Sequence, residues 1–121
     1  NAIKLLIVDD HDAVREALKT RLSAALAIDV VGCAASWEIG LERALNLEPD
    51  VVLLETKRAD GEGLHALQCF TERCTGADVI VLTSYADADE RKMARSRGAV
   101  GYLLKDIDSA RLVSEIFSLC R

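Results

Sequence analysis

Leu5-Leu6-Ile7-Val8-Asp9-Asp10 decides the reading of this chain: four apolar residues in a row, then two carboxylates. An apolar run of that length without polar alternation suits a strand covered on both faces, hence a parallel sheet. The pattern returns at Val51-Val52-Leu53-Leu54, followed by Glu55, and at Val79-Ile80-Val81-Leu82, followed by Thr83-Ser84. Val30-Val31 and Val100–Leu104 are shorter candidates, the second followed by Lys105. Between these runs the spacing turns helical. Val14, Leu18, Leu22 and Ala25 make one stripe; Leu41, Ala44 and Leu45 make a second, ending before Glu48-Pro49, where proline stops a helix. Leu64, Leu67 and Phe70 make a third. Val113, Ile116, Phe117 and Cys120 make the last, with Asp108 as its N-cap. Asp87–Arg97 offers only Ala88, Met93 and Ala94 as apolar anchors, so a loosely packed, mobile helix is expected there.

Strand and helix thus alternate five times. Right-handed crossovers turn that order into a doubly wound α/β sheet with helices on both faces. Composition agrees. The 121 residues make one domain and carry a net charge of −5, which argues against a nucleic-acid-binding or anionic-membrane-binding surface. The longest apolar run, Ala24–Ile28, falls far short of the ~20 residues of a spanning helix. No signal peptide is visible, and Asn1-Ala2 reads as a processing remnant ahead of the domain. Cys33, Cys69, Cys74 and Cys120 lack metal-site spacing and lie in or beside apolar stretches. They read as buried or half-buried reduced thiols in a cytoplasmic protein.

In doubly wound sheets the site lies at the carboxyl ends of the strands. There this chain has Asp9-Asp10, Glu55, Thr83-Ser84 and Lys105. Any one of these is ordinary where a strand meets solvent. All of them, each at the same end of its own strand, describe a site. Close carboxylates repel, and one stays protonated unless a cation intervenes. Lys105 supplies one positive charge; a hard ion such as Mg²⁺, which prefers oxygen ligands, would supply more. Asp12 is expected to face solvent in the first turn of its helix, and His11 is expected to be a loop residue, not a ligand.

The stretches Leu5–His11 (LLIVDDH), Pro49–Leu54 (PDVVLL), Val81–Tyr85 (VLTSY) and Gly98–Asp106 (GAVGYLLKD) together resemble the receiver domain of two-component response regulators, NarL/FixJ (LuxR-type) subfamily. The resemblance runs from Ile3 to Cys120, a single receiver domain over 3–120. It implies a flavodoxin-like (βα)5 fold with strand order 2-1-3-4-5. It also implies that Asp9 and Asp10, with the Lys57 backbone carbonyl and the carboxylate at 55, hold Mg²⁺. Thr83 would bond a phosphoryl oxygen and Lys105 would pair with the phosphoryl group. Tyr102 would be the switch aromatic, turning inward when the hydroxyl of Thr83 moves. The partners implied are a sensor histidine kinase and a C-terminal helix-turn-helix domain that binds DNA; a homodimer is compatible with the resemblance. A signalling module, not an enzyme, is expected.

The chain departs from the family at the centre. Glu55 stands where the family has its phosphoaccepting Asp, and Arg58-Ala59 replaces the usual Met-Pro, while Gly63 matches. Glu carries its carboxylate ~1.5 Å further out. A misplacement of ~1 Å costs about a hundredfold in rate. Impaired phosphotransfer and weak Mg²⁺ binding are therefore expected. Glu55 is also expected to pair with Lys105, leaving Asp9 and Asp10 uncompensated and Tyr102 outward or mixed. The alternatives are a phosphomimetic or slowly phosphorylated receiver, and, more distantly, a small phosphohydrolase of the haloacid dehalogenase type built on Asp10-His11-Asp12. The last fits poorly, because Ala13 breaks the motif that such enzymes need.

Overall fold

A computed structural model describes residues 2–57 and 61–120. Strand and helix alternate in the order β1 (Ile3–Val8), α1 (Asp12–Ser23), β2 (Ile28–Ala34), α2 (Trp37–Leu47), β3 (Val51–Leu54), α3 (Gly63–Arg73), β4 (Asp78–Thr83), α4 (Ala88–Ser96), β5 (Gly101–Leu104) and α5 (Ser109–Leu119). The strands form one parallel sheet of order β2-β1-β3-β4-β5, the flavodoxin-like arrangement.

Alternation along the strands divides the core in two. Leu6, Val8, Val52, Leu54, Val79 and Val81 point to one face, where Leu41, Leu67, Phe70 and Ala94 of α2, α3 and α4 cover them. Leu5, Ile7, Val51, Leu53, Ile80 and Leu82 point to the other, under Leu18 and Leu22 of α1 and Leu112 and Ile116 of α5. β3 is buried at all four positions, as a central parallel strand must be.

Several elements differ from the expectation. β2 runs well beyond Val30-Val31 and shifts register between Leu5 and Leu6 of its neighbour. It is an edge strand, half-covered, so its sequence lacks the continuous apolar run. Leu45 and Phe117, placed in the helical stripes, are largely exposed. They lie one step round the helix from the positions that face the sheet. α4 packs thinly: Ala94 is its only buried residue, and Met93 is exposed. Asp108 caps α5 as expected, accepting from the Arg111 N–H at 2.9 Å.

The four cysteines are free thiols, Cys74 buried and the others half-buried. Burial pushes the Cys120 thiol up to about 11. No helix among the described residues is long and apolar enough to cross a membrane.

Candidate functional site

The parallel ladder continues one residue past the strands, and this fixes the site. The Glu55 N–H donates to the Val8 carbonyl at 3.0 Å, the Asp9 N–H to the Ala34 carbonyl at 3.0 Å, and the Lys105 N–H to the Thr83 carbonyl at 2.8 Å. Residues far apart in sequence thereby arrive at one sheet edge. The β5–α5 loop is held from behind by Arg21 of α1, which donates to the Ile107 carbonyl at 2.5 Å and the Lys105 carbonyl at 3.4 Å. Arg15 donates to the Asp9 carbonyl at 2.8 Å. Neither arginine was legible as part of the site, because the bonds that bind them to it go to backbone carbonyls, which leave no residue-type signature.

At the centre Lys105 Nζ lies 2.6 Å from Asp9 Oδ2 and 2.7 Å from Glu55 Oε1. Asp9 and Glu55 are only 2% and 3% exposed, so a single ammonium compensates two buried carboxylates. Burial works against the Lys105 ammonium, but hydrogen bonds to Asp9 and Glu55 and their charges outweigh it, and its pKa lies above the ordinary value. The expected Glu55–Lys105 pair is present. Asp9, expected to be left uncompensated, instead shares the same lysine, because Nζ presents three donors and both carboxylates reach it.

The second oxygen of Glu55 is also engaged. Oε2 accepts the N–H of Lys57, two residues on, at 2.8 Å. The Thr83 hydroxyl is fully buried yet finds no hydrogen-bond partner among the described residues, and the same holds for Thr56. No Glu55–Thr83 hydrogen bond forms.

Tyr102 is not outward. It is buried, donating through its hydroxyl to Glu90 Oε1 at 2.6 Å and accepting from the Asp87 N–H at 3.3 Å. Burial, followed by the neighbouring Glu90 carboxylate, pushes its phenol up to about 12. The inward position is thus anchored from α4 and its cap, with no contribution from a Thr83–Glu55 contact. Glu90 gave no signal in the sequence, since a Glu in the first turn of a helix ordinarily faces solvent.

On the other flank, His11 closes over the acidic pair. Its N–H donates to Asp9 Oδ1 at 2.9 Å, and its Nδ1 lies 3.2 Å from Asp10 Oδ1. The ligand atoms of Asp9, Asp10 and His11 all lie within 4.8 Å of one another. Two hard carboxylate donors at that spacing fit a small divalent cation, with Asp9 Oδ2 already held by Lys105. His11 lies in the loop before α1, as expected, yet its ring stands against the carboxylates. It occupies the N-cap position of α1 without a side-chain cap, and its ring nitrogen faces Asp9 and Asp10 instead. Asp12, as expected, is 86% exposed and pairs with Arg15 at 2.6 Å. Arg58-Ala59, the replacement for Met-Pro, lies outside the described residues.

Comparison with known proteins agrees with this geometry. The family model for the response regulator receiver domain matches residues 5–117. The transcriptional regulatory protein LnrK of Bacillus subtilis is 32% identical over 117 residues, covering 97% of this chain and 53% of that protein. The nitrate/nitrite response regulator protein NarL of Escherichia coli is 34% identical over 112 residues, covering 93% and 52% respectively. This chain therefore spans about half the length of these curated relatives. Among solved structures, the response regulator domain of Thermotoga maritima CheB superposes with a TM-score of 0.87 at 25% identity, covering 98% of this chain and 96% of that one. With the fold, the strand-end cleft and these matches in agreement, the chain belongs to the response regulator receiver domain family.

Proposed function

We propose that this receiver domain serves a transcriptional regulator as a signalling module in which Glu55 occupies the phosphoacceptor position and ordinary phosphotransfer is impaired. One observation carries the reading: both oxygens of Glu55 are already engaged, Oε1 by Lys105 at 2.7 Å and Oε2 by the Lys57 N–H at 2.8 Å. An attacking carboxylate needs a free oxygen placed in line with phosphorus, and transfer is sensitive to ~1 Å errors in that placement. Here the longer side chain folds back onto its own loop and onto the lysine that would neutralise the transferred group.

Asp9, Asp10 and the Lys57 carbonyl would hold Mg²⁺ weakly, because Lys105 already compensates Asp9. The ion would supply charge neutralisation to a phosphoryl group. In the whole protein a helix-turn-helix domain would bind DNA, and a histidine kinase would be the upstream partner. A second reading, a switch held in its active-like form by Glu55, is favoured by the buried Tyr102. The missing Glu55–Thr83 hydrogen bond counts against it.

The test is incubation with acetyl phosphate and Mg²⁺, followed by intact-mass analysis. The chain is expected to stay unlabelled and Glu55→Asp to gain labelling, a reading supported by Asp9, Thr83 and Lys105 at the same strand ends. Stoichiometric labelling of the unaltered chain within minutes would refute the proposal.

A further inference from the structure

We propose that Lys57 is a positioning residue that couples the Glu55 carboxylate to helix α4, its main chain bound to the carboxylate and its side chain bound to the helix. The Lys57 N–H donates to Glu55 Oε2 at 2.8 Å, while Lys57 Nζ lies 3.2 Å from Glu90 Oε2. The other oxygen of Glu90 accepts the Tyr102 hydroxyl at 2.6 Å, and the same hydroxyl accepts the Asp87 N–H at 3.3 Å. Lys57 Nζ also stands 4.8 Å from the centre of the Tyr85 ring, on the segment leading into α4. A chain of contacts therefore runs from Lys105 through Glu55 to the Lys57 main chain, along the Lys57 side chain to Glu90, and on to Tyr102.

Two further observations give this chain its weight. α4 buries only Ala94, so apolar packing does little to fix the helix and a half-buried ion pair is a large part of its attachment. Lys57 is 22% exposed and Glu90 13%, which shields the pair from solvent. Secondly, the hydroxyl of Thr83, the other connection between the cleft and Tyr102, has no hydrogen-bond partner among the described residues. Whatever displaces Glu55 Oε2 frees the Lys57 N–H, lets the residue turn, and loosens Glu90 from Lys57. The coupling is a property of the loop and does not rest on whether Glu55 ever carries a phosphoryl group.

A double-mutant cycle tests it, read by the ring resonances of Tyr102 in ¹³C-tyrosine-labelled protein and by amide exchange in α4. Glu55→Ala is expected to shift the Tyr102 resonances and speed α4 exchange by roughly fivefold, the factor that one ion pair of this kind contributes. In a Lys57→Met background Glu55→Ala adds nothing further, and Lys57→Arg restores the response. Equal responses with and without Lys57 would overturn the proposal, as would no response in either background. If Glu55→Ala does not fold, Glu90→Gln reads the coupling backwards. It shifts the Lys57 amide resonance if the proposal holds; an unmoved Lys57 amide overturns it.

Discussion

Lys105 faces two carboxylates that are each almost wholly removed from water. Removing one partner of a buried ionic group leaves uncompensated charge and costs ~3 kcal/mol or more. Lys105→Met is therefore expected to lower the urea-unfolding free energy by ~3 kcal/mol, and adding Asp9→Asn recovers part of it by relieving the repulsion between Asp9 and Glu55. A loss below ~1 kcal/mol would mean that the triad is solvated. The phenol of Tyr102 gives a second prediction at this scale. Its pKa is raised, so its stabilising contribution is complete below the ordinary ~10 and is lost as pH rises toward about 12. Tyr85→Phe leaves Tyr102 as the only tyrosine. Its phenolate absorbance is then expected to rise with a midpoint near 12, and Glu90→Gln lowers that midpoint. A midpoint near 10 before that substitution would contradict the burial of the phenol together with its Glu90 contact. The Glu55–Lys105 pair could be read from the sequence, because opposite charges stand at the same ends of β3 and β5 and the long lysine side chain spans the one strand between them. The sharing of Lys105 with Asp9 could not, since it depends on where a flexible ammonium settles among acceptors at similar reach.

At the scale of elements, α3 begins where the chain crosses its own loop. A Cβ on Gly63 would sit 1.7 Å from the Thr56 carbonyl oxygen, a backbone atom that cannot step aside. Gly63→Ala is expected to destabilise by ~2–3 kcal/mol and to disturb the Glu55–Lys57 turn beside it. The checks are urea unfolding and the Lys57 amide resonance; an unaffected midpoint would mean that the loop yields. The buried strands and the stripes of α1 and α3 were legible because burial on both faces or on one face leaves a period in the sequence. Edge strand β2 was read short, since half-burial admits Asp29 and Gly32 into it. The thin packing of α4 was legible from its few apolar residues. Its polar attachment to Lys57 and Tyr102 was not, because it depends on a loop whose course no periodicity specifies.

Over the whole molecule, the two cores hold a rigid sheet whose carboxyl edge carries the charged cleft, and the thinly packed helix α4 lies beside it. The sheet fixes Asp9, Glu55 and Lys105 within 3 Å contacts, while α4 is held by one buried alanine and by polar links from Glu90. On the proposed reading, this cleft keeps the receiver arrangement but is closed by its own Glu55. Beryllofluoride, which has the shape and charge of a phosphoryl group, tests it by ¹⁹F NMR in the presence of Mg²⁺. No bound fluoride resonance is expected for the unaltered chain, and a bound resonance is expected for Glu55→Asp. A saturable bound resonance in the unaltered chain, at concentrations similar to those that load Glu55→Asp, would contradict it.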